Sequence, residues 1–111
     1  MNTFCSLAKN RDFQNVYRTG KSLANKYLVL YKKKRDDEGE NRVGISVSRK
    51  VGNSVVRHRI KRLIKESYRL NCGQAVGGYD LVVIAREKSN GRTYQEIENA
   101  LLSLLKNHHL I

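Results

Sequence analysis

The sequence predicts a single domain of the α+β class, or a two-layer α/β sandwich, on three observations. Segments with helical and strand patterns alternate along the chain, and such elements bury their apolar faces by packing helices on a sheet. The chain has 111 residues, of which 40% are hydrophobic, enough for one modest core. No internal repeat, low-complexity linker or proline marks a boundary. We therefore expect residues 1–111 to form one unit.

The first predicted element is a short helix from about Asn10 to Thr19. Asp12 or Asn10 can cap its start, and Gly20 can end it in the left-handed conformation. Its apolar side chains stand at positions i, i+3 and i+4 and so share one face: Phe13, Val16 and Tyr17.

Strands are predicted next. The segment from Lys21 to Lys33 contains a strong strand signal in Tyr27 to Tyr31, and a short strand near Ser22 can precede it. The acidic stretch from Asp36 to Glu40 predicts a turn, and Arg42 to Ser48 predicts the following strand. In that strand a core-facing set alternates with a small, polar set: Val43, Ile45 and Val47 against Gly44, Ser46 and Ser48.

A basic helix and a buried strand come after a loop. Ser54 to about Asn71 reads as the helix, with Ser54 or Asn53 as its cap, and Tyr79 to Ala85 reads as the strand. The helix carries an apolar stripe near period 3.6, formed by Val56, Ile60, Leu63, Ile64 and Tyr68.

The last helix follows a loop from Arg86 to Arg92 and begins with a capping box of Thr93 and Glu96. Its apolar face is predicted to pack on the core through Ile97, Ala100, Leu101, Leu104 and Leu105.

The charge of the chain points to a polyanionic partner. Lys and Arg number 22 against 10 Asp and Glu, which gives a net charge of +12, and the pI is near 10.1. The segment from Arg49 to Arg69 holds one acid, Glu66, among its cations. A solvated helix face is the alternative, but solubility does not require +12. The cations of this segment are Arg49, Lys50, Arg57, Arg59, Lys61, Arg62, Lys65 and Arg69.

Several protein classes are disfavoured. No window approaches the ~18 apolar residues of a membrane span, so we expect no membrane partner. No apolar segment of a secretory signal follows the N-terminus. Cys5 and Cys72 have neither C-x-x-C nor zinc spacing, which predicts free thiols and a cytoplasmic location.

A catalytic or metal site on the protein itself is not predicted. A protein nuclease needs paired histidines or a carboxylate cluster. His108 and His109 end a helix, where we expect them in solvent or beside its C-terminal dipole, and the acids at Asp36 to Glu40 are those of a hairpin tip. No glycine motif that cradles phosphate is present. We expect no small-molecule substrate.

The small, polar strand face predicts a shallow floor for an extended strand of nucleic acid. If Tyr27, Val29 and Tyr31 lie beside it, bases can stack there, at roughly 1–3 kcal/mol each. Equally, Tyr27 and Tyr31 can be ordinary sheet residues, and their spacing alone does not decide between the two.

The segment from Arg49 to Glu66 resembles the signature of the protein subunit of bacterial ribonuclease P, a Lys-x-x-Gly-x-Ala-Val-x-Arg-Asn-Arg-x-Lys-Arg run. The strand Val43 to Ser48 also fits the family. In the first helix, so does the run Asp12-Phe13-x-x-Val16-Tyr17 followed by Gly20. Arg86 fits more loosely. The resemblance covers nearly the whole chain in the right order. The matching positions of the signature are Lys50, Gly52, Val55, Arg57, Arg59, Lys61, Arg62 and Glu66.

The chain departs from the family pattern in three places. His58 stands where the family has the central Asn, and imidazole differs from an amide in reach and can gain a proton. Ser54 replaces the usual Ala. The tail, residues 1–9, lacks the Arg-rich run of many relatives, so we expect weaker RNA contact there.

The resemblance implies an α-β sandwich like the second domain of ribosomal protein S5, in the order α-β-β-β-α-β-α, with a left-handed β-α-β crossover through the basic helix. It also implies a non-catalytic subunit of an endoribonuclease. A large catalytic RNA, with Mg²⁺ held mainly by that RNA, makes the mature 5′ ends of tRNA. The protein binds this RNA and the 5′ leader of precursor tRNA.

The implied binding residues form two surfaces. The leader would lie in a cleft with Phe13 and Tyr17 as its wall. Tyr31 and Ser46 would form the floor of this cleft, and Arg57 and Lys61 would reach it from the edge. Phe13 and Tyr17 can alternatively do no more than pack the first helix on the sheet. The catalytic RNA would be met by Arg49, Lys50, Arg57, His58, Arg59, Arg62 and Lys65, since arginine forks suit phosphate oxygens.

Two rival functions remain. A ribosomal or assembly protein with this fold would bind structured RNA without preferring precursor over mature tRNA. A DNA-binding regulator would place the basic helix in the major groove, where more Asn or Gln for reading bases is expected than this helix carries.

Overall fold

A computed structural model describes residues 5–36, 39–71, 73 and 75–111. Its strands form one five-stranded sheet in the order β1-β4-β5-β3-β2. β5 lies parallel to β4 and antiparallel to β3. The elements are β1 Cys5–Ser6, α1 Asn10–Thr19, β2 Lys21–Ala24, β3 Leu28–Lys34, β4 Arg42–Ser46, α2 Ser54–Asn71, β5 Tyr79–Ala85, a 3₁₀ turn Glu87–Ser89 and α3 Tyr94–Asn107.

The predicted α+β class and the order α-β-β-β-α-β-α are confirmed from α1 onward, with β1 as an added short strand. α1, α2 and β5 have the predicted bounds, and the short strand near Ser22 is β2. The predicted strand over 42–48 ends at Ser46. β4, α2 and β5 form the expected β-α-β crossover, because β4 and β5 are parallel neighbours joined through the basic helix.

Asn25 divides the predicted strand over 21–33 into β2 and β3. Its side-chain oxygen accepts hydrogen bonds from the backbone amides of Tyr27 and Leu28, at 3.1 and 3.0 Å. Its amide group donates to the carbonyl of Ala100 at 2.9 Å. These bonds favour a tight turn over a continuous strand.

The main core lies between the sheet and the layer formed by α2 and α3, which is the predicted two-layer arrangement. The apolar stripes of both helices pack there, as predicted, together with Val43 and Ile45 of β4 and Val47 just after it. α1 covers part of the opposite sheet face through a second, smaller cluster, in which Leu7, Val16 and Val82 are buried.

The ends of α1 differ from the prediction. Lys9 is the N-cap residue and its side chain makes no capping bond, so neither Asp12 nor Asn10 caps the helix. Asp12 instead lies 3.9 Å from the guanidinium of Arg42. Gly20 is extended, at φ −85°, and not left-handed. Glycine is needed there for space, because a Cβ would stand 2.6 Å from the Val16 carbonyl oxygen.

The caps of α2 and α3 agree with the sequence. Asn53, one of the two predicted caps of α2, accepts from the Val56 amide at 3.0 Å. The capping box of α3 is present, with Thr93 and Glu96 bonded in both directions. The bond from the Thr93 backbone lowers the pKa of Glu96.

Of the two positions expected for His108, solvent is wrong, and the residue is the C-cap of α3. Its side chain is 3% exposed, and Nε2 lies 2.7 Å from the Leu30 carbonyl oxygen. Lys32 donates to the His108 carbonyl at 2.6 Å. Burial lowers the pKa of His108. His109 is exposed and has a φ of 59°.

An ion pair on a buried carboxylate joins the strands at one end of the sheet. Asp80 on β5 accepts from Nε and Nη2 of Arg42 on β4, at 2.8 and 2.7 Å, and lies 3.4 Å from Arg35 after β3. The hydrogen bonds that Arg42 donates to Asp80 raise the pKa of Arg42. The sequence pattern does not predict this pair, because its residues lie far apart along the chain.

The remaining predicted features are partly covered by the structure. The acidic stretch connects β3 and β4 as predicted, but its residues Asp37 and Glu38, like Cys72, lie outside the described residues. Cys5 is half-buried in β1. Within the described part of the chain, no helix has the length and apolar character of a membrane span.

Candidate nucleic-acid interface

A cleft of about 430 Å³ opens between α1, β4 and α2. α1 supplies aromatic side chains because its apolar face turns toward the sheet, and α2 supplies a cation at the opposite rim. Of the predicted leader-binding residues, Phe13, Tyr17, Ser46 and Lys61 line this cleft together.

The position of Phe13 depends on the absence of a side chain at Gly44. A Cβ built on Gly44 would stand 2.4 Å from Cζ of Phe13, closer than any packed side chain allows. The phenyl ring thus rests on the bare backbone of β4. The small, polar face predicted for β4 accommodates this ring.

Tyr17 links the cleft to the sheet behind it. Its ring contacts the edge of Tyr31, with centroids 5.1 Å apart, and the Phe13 ring lies 6.3 Å away. Burial raises the pKa of Tyr17, while a hydrogen bond with Ser46 acts in the opposite direction. Tyr31 therefore supports Tyr17 from behind and is not among the residues that line the cleft.

The floor that the sequence predicted is interrupted. β5 lies between β3 and β4, so Tyr31 pairs with Val82 and Ser46 pairs with Ile84. Tyr27 precedes β3 and packs against the main core, on the side of the sheet away from α1, where the Arg92 guanidinium lies 5.9 Å from its ring centroid. Tyr27 consequently does not contribute to the floor beside the small residues.

Arg57 and Lys61 stand one turn apart on α2 and line a smaller hollow of about 160 Å³ next to the cleft. His58 and Val47 also border it. The structure thus brings Arg57 to the edge of the cleft, as predicted, without placing it inside.

The other cations of α2 lie on its outer face. Arg62 and Lys65 are exposed, and Arg59 turns toward the loop before α3, where its Nη2 donates to the Arg92 carbonyl at 2.8 Å. Glu66 forms an ion pair with Arg69 on the next turn, and the hydrogen bond from Arg69 lowers the pKa of Glu66. This acid is therefore paired within the last part of α2.

Arg49 and Lys50 sit on an exposed turn that follows β4. The turn closes through a bond from the Val51 amide to the Ser48 carbonyl at 3.1 Å. Lys50 also borders a hollow of about 460 Å³ whose other cations are Lys26, Arg86 and Lys88. Sequence reasoning missed Lys26 and Lys88, because only the tertiary structure brings these separate segments together.

The described residues contain no group of three or more His, Cys, Asp or Glu side chains arranged to hold a metal ion. Lys61 in the cleft and Arg57 beside it give this region positive charge.

Comparisons with known proteins identify the family. A sequence model of the ribonuclease P family matches residues 1–109. This chain belongs to the ribonuclease P protein family. Membership makes it a relative of the protein components of ribonuclease P, which act in tRNA processing together with the ribonuclease P RNA.

Relatives cover nearly the whole chain. The ribonuclease P protein component of Lachnoclostridium phytofermentans is 57% identical over 106 residues, which span 96% of this chain and 90% of the relative. That of Alkaliphilus metalliredigens is 53% identical over 95% of this chain and 94% of its own length.

Solved structures of this family have the same fold. The ribonuclease P protein of Staphylococcus aureus superposes with a TM-score of 0.89 at 36% identity, covering 97% of this chain and 98% of the other. The protein of Thermotoga maritima gives 0.84 at 36% identity, covering 92% and 96%.

Proposed function

We propose that this protein is the RNA-binding, non-catalytic subunit of a ribonuclease P. In this role it binds the catalytic RNA through the outer face of α2 and the turn at Arg49 and Lys50. It binds the 5′ leader of precursor tRNA in the cleft between α1, β4 and α2. The RNA subunit carries out the endonucleolytic cleavage.

The observation that carries this proposal is the division of cations on α2. Lys61 lines the cleft that holds Phe13 and Tyr17, whereas Arg62, about 100° further around the helix, is exposed outside it. A single helix thereby presents positive charge to two different partners. A body of net charge +12 placed between two RNAs lowers their mutual repulsion.

The cleft suits single-stranded RNA in both shape and chemistry. Bases stack on aromatic rings regardless of sequence, and a nearby ammonium group pairs with the phosphates between them. Phe13 and Tyr17 offer such rings, and Lys61 and Arg57 offer the charge. A processing subunit needs this tolerance because the leaders of different precursors differ in sequence.

The metal ions of the reaction belong to the RNA in this proposal. Cleavage at the scissile phosphate by metal-activated water needs ligands for Mg²⁺, and the described side chains do not group to supply them. The protein contributes binding and positioning, and Mg²⁺ acts as the cofactor of the assembled ribonucleoprotein. We place the protein in the cytoplasm, where tRNA precursors are made and processed.

Reconstitution tests the proposal. The purified protein, freed of nucleic acid, is mixed with a bacterial ribonuclease P RNA and precursor tRNA at a magnesium concentration too low for the RNA alone. We expect cleavage at the mature 5′ end only when protein and RNA are both present. Cleavage by the protein alone, or no stimulation of the RNA, contradicts the proposal.

Binding measurements distinguish this function from the two alternatives, a general RNA-binding protein and a DNA-binding regulator. We expect precursor tRNA to bind the assembled complex more tightly than mature tRNA, because only the precursor has a leader. Equal affinity for the two indicates a protein that binds structured RNA generally. Tighter binding of duplex DNA than of either RNA indicates a DNA-binding regulator.

A further inference from the structure

The tight turn Ser89–Arg92, between the 3₁₀ turn and α3, contacts two separate parts of the cationic surface. On one side it reaches the turn that carries Arg49 and Lys50, and on the other it reaches Arg59 on α2. The turn contains a single cation of its own, Arg92.

The first contact is a hydrogen bond from Asn90. Its Nδ2 donates to the Val51 carbonyl at 3.1 Å. Val51 is buried in the main core and closes the turn of Arg49 and Lys50 through its own amide. Asn90 therefore attaches the backbone beneath these two cations to the body of the protein.

The second contact is the bond from Arg59 to the backbone of Arg92. Nη2 of Arg59 donates to the Arg92 carbonyl at 2.8 Å. A guanidinium has five N–H donors in a planar fork, so one such bond orients the group and leaves the others for phosphate oxygens.

The turn is itself well fixed. The fully buried Ser89 donates through Oγ to the Arg86 carbonyl at 2.6 Å, and the Arg92 amide donates to the Ser89 carbonyl at 3.2 Å. Gly91 has a φ of +82°, a conformation that other residues adopt with strain. The Arg92 side chain is paired with Glu96 at 3.5 Å.

We infer that the turn Ser89–Arg92 is a positioning element of the RNA-binding surface, which orders the Arg49–Lys50 turn through Asn90 and the Arg59 guanidinium through the Arg92 carbonyl. The inference rests on the proposed function. Ordering these cations before RNA arrives reduces the conformational entropy lost on binding, so the turn increases affinity without touching RNA.

The test measures the affinity of the catalytic RNA for the full-length protein as a function of salt. Asn90→Ala is expected to weaken binding about threefold, as the loss of one orienting hydrogen bond would. In Asn90→Ala the slope of log affinity against log salt should equal that of the wild type, because no cation is removed. In Arg59→Ala that slope should become shallower by about one. Asn107→Ala, an exposed asparagine at the other end of α3, is the matched control and should bind as the wild type does.

A second background separates positioning from general destabilisation. In a protein that already carries Arg49→Ala, Lys50→Ala and Arg59→Ala, Asn90→Ala should have no further effect, because the groups it orders are gone. The same threefold loss in both backgrounds, or no loss in the wild type, overturns the inference.

Gly91 provides an independent variant. Gly91→Ala strains the left-handed backbone and should weaken RNA binding, and Gly91→Asn should restore most of the affinity, since Asn tolerates this conformation better. Equal affinity of both variants with the wild type argues against the turn as a positioning element. If the wild-type protein itself does not bind the catalytic RNA, the proposed function fails. If the wild type binds and only the Asn90 and Gly91 results are negative, the positioning role alone fails.

Discussion

Phe13 of α1 rests directly on Gly44 of β4, where a Cβ would stand 2.4 Å from its ring carbon Cζ. The contact makes the wall and the floor of the cleft interdependent, because the ring can keep its place only while the strand presents no side chain.

Gly44→Ala is therefore expected to displace Phe13 and to deform the cleft. Overpacking of this kind costs about 1–3 kcal/mol of stability. Thermal unfolding and precursor tRNA binding should both be impaired, and a crystal structure should show the ring moved. Gly73→Ala is the control, since a Cβ there meets nothing within 4 Å. Unchanged precursor binding by Gly44→Ala contradicts the dependence.

Phe13→Ala and Tyr17→Ala are expected to weaken the binding of precursor tRNA to the assembled complex. Each lost stacking contact is worth about 1–3 kcal/mol. Mature tRNA should bind as before because it lacks the leader. Tyr17→Phe keeps the ring and should retain most of the affinity. Equal losses for precursor and mature tRNA would refute the assignment of the cleft to the leader.

Arg57→Ala combined with Arg59→Ala is expected to lower the affinity for the catalytic RNA. The slope of log affinity against log salt should become shallower by about two, because two cations no longer displace counterions. Filter binding over a range of salt concentrations measures both quantities. Arg18→Ala with Lys106→Ala removes two exposed cations from α1 and α3 and controls for net charge. Unchanged affinity at physiological salt would overturn the role of α2.

His108 is expected to make folding stability depend on pH. Burial holds its pKa in the folded protein below the ordinary 6.5, and Lys32 and His109 act in the same direction. Between pH 6.5 and the lower pKa of the folded protein, the unfolded chain therefore binds more protons at His108 than the folded protein does. The free energy of unfolding is unaffected by His108 above this pH window and decreases as the pH falls through it.

Denaturant unfolding between pH 5 and 8 measures this effect. His108→Gln keeps a donor for the Leu30 carbonyl and cannot titrate, so its stability should vary less with pH than that of the wild type. Asn107→Ala, which changes an exposed neighbour of His108 and removes no titratable group, should leave the wild-type profile unchanged. If the stability of His108→Gln depends on pH as steeply as that of the wild type, the buried imidazole is not the cause of the pH dependence.

Much of the fold was predictable because its signals are local. The bounds of α2 and β5 follow from hydrophobic period and chain breakers, and the capping box of α3 needs only residues three apart. Where two local solutions competed, as with Ser54 and Asn53 at the start of α2, the sequence left both open. The geometry selects Asn53, whose oxygen reaches the Val56 amide.

Two of the errors concern contacts between distant segments. The solvent position expected for His108 failed because the last turn after α3 folds against β3, where Leu30 offers a carbonyl. The floor expected from Tyr27 and Tyr31 failed because strand order cannot be derived from strand patterns. β5, late in the chain, inserts between β3 and β4.

The sequence by itself determined the elements, the core faces of the helices and the positive charge, and through the Arg49–Glu66 signature it also indicated the family. The tertiary structure alone decided that Phe13 lies over Gly44, that Lys26 and Arg86 join Lys50, and that Asn90 reaches Val51. The physical reason is the distance along the chain over which each signal acts. Periodicity, capping and charge depend on neighbours along the chain, whereas these contacts depend on which strands pair and which loops meet at the end of the sheet.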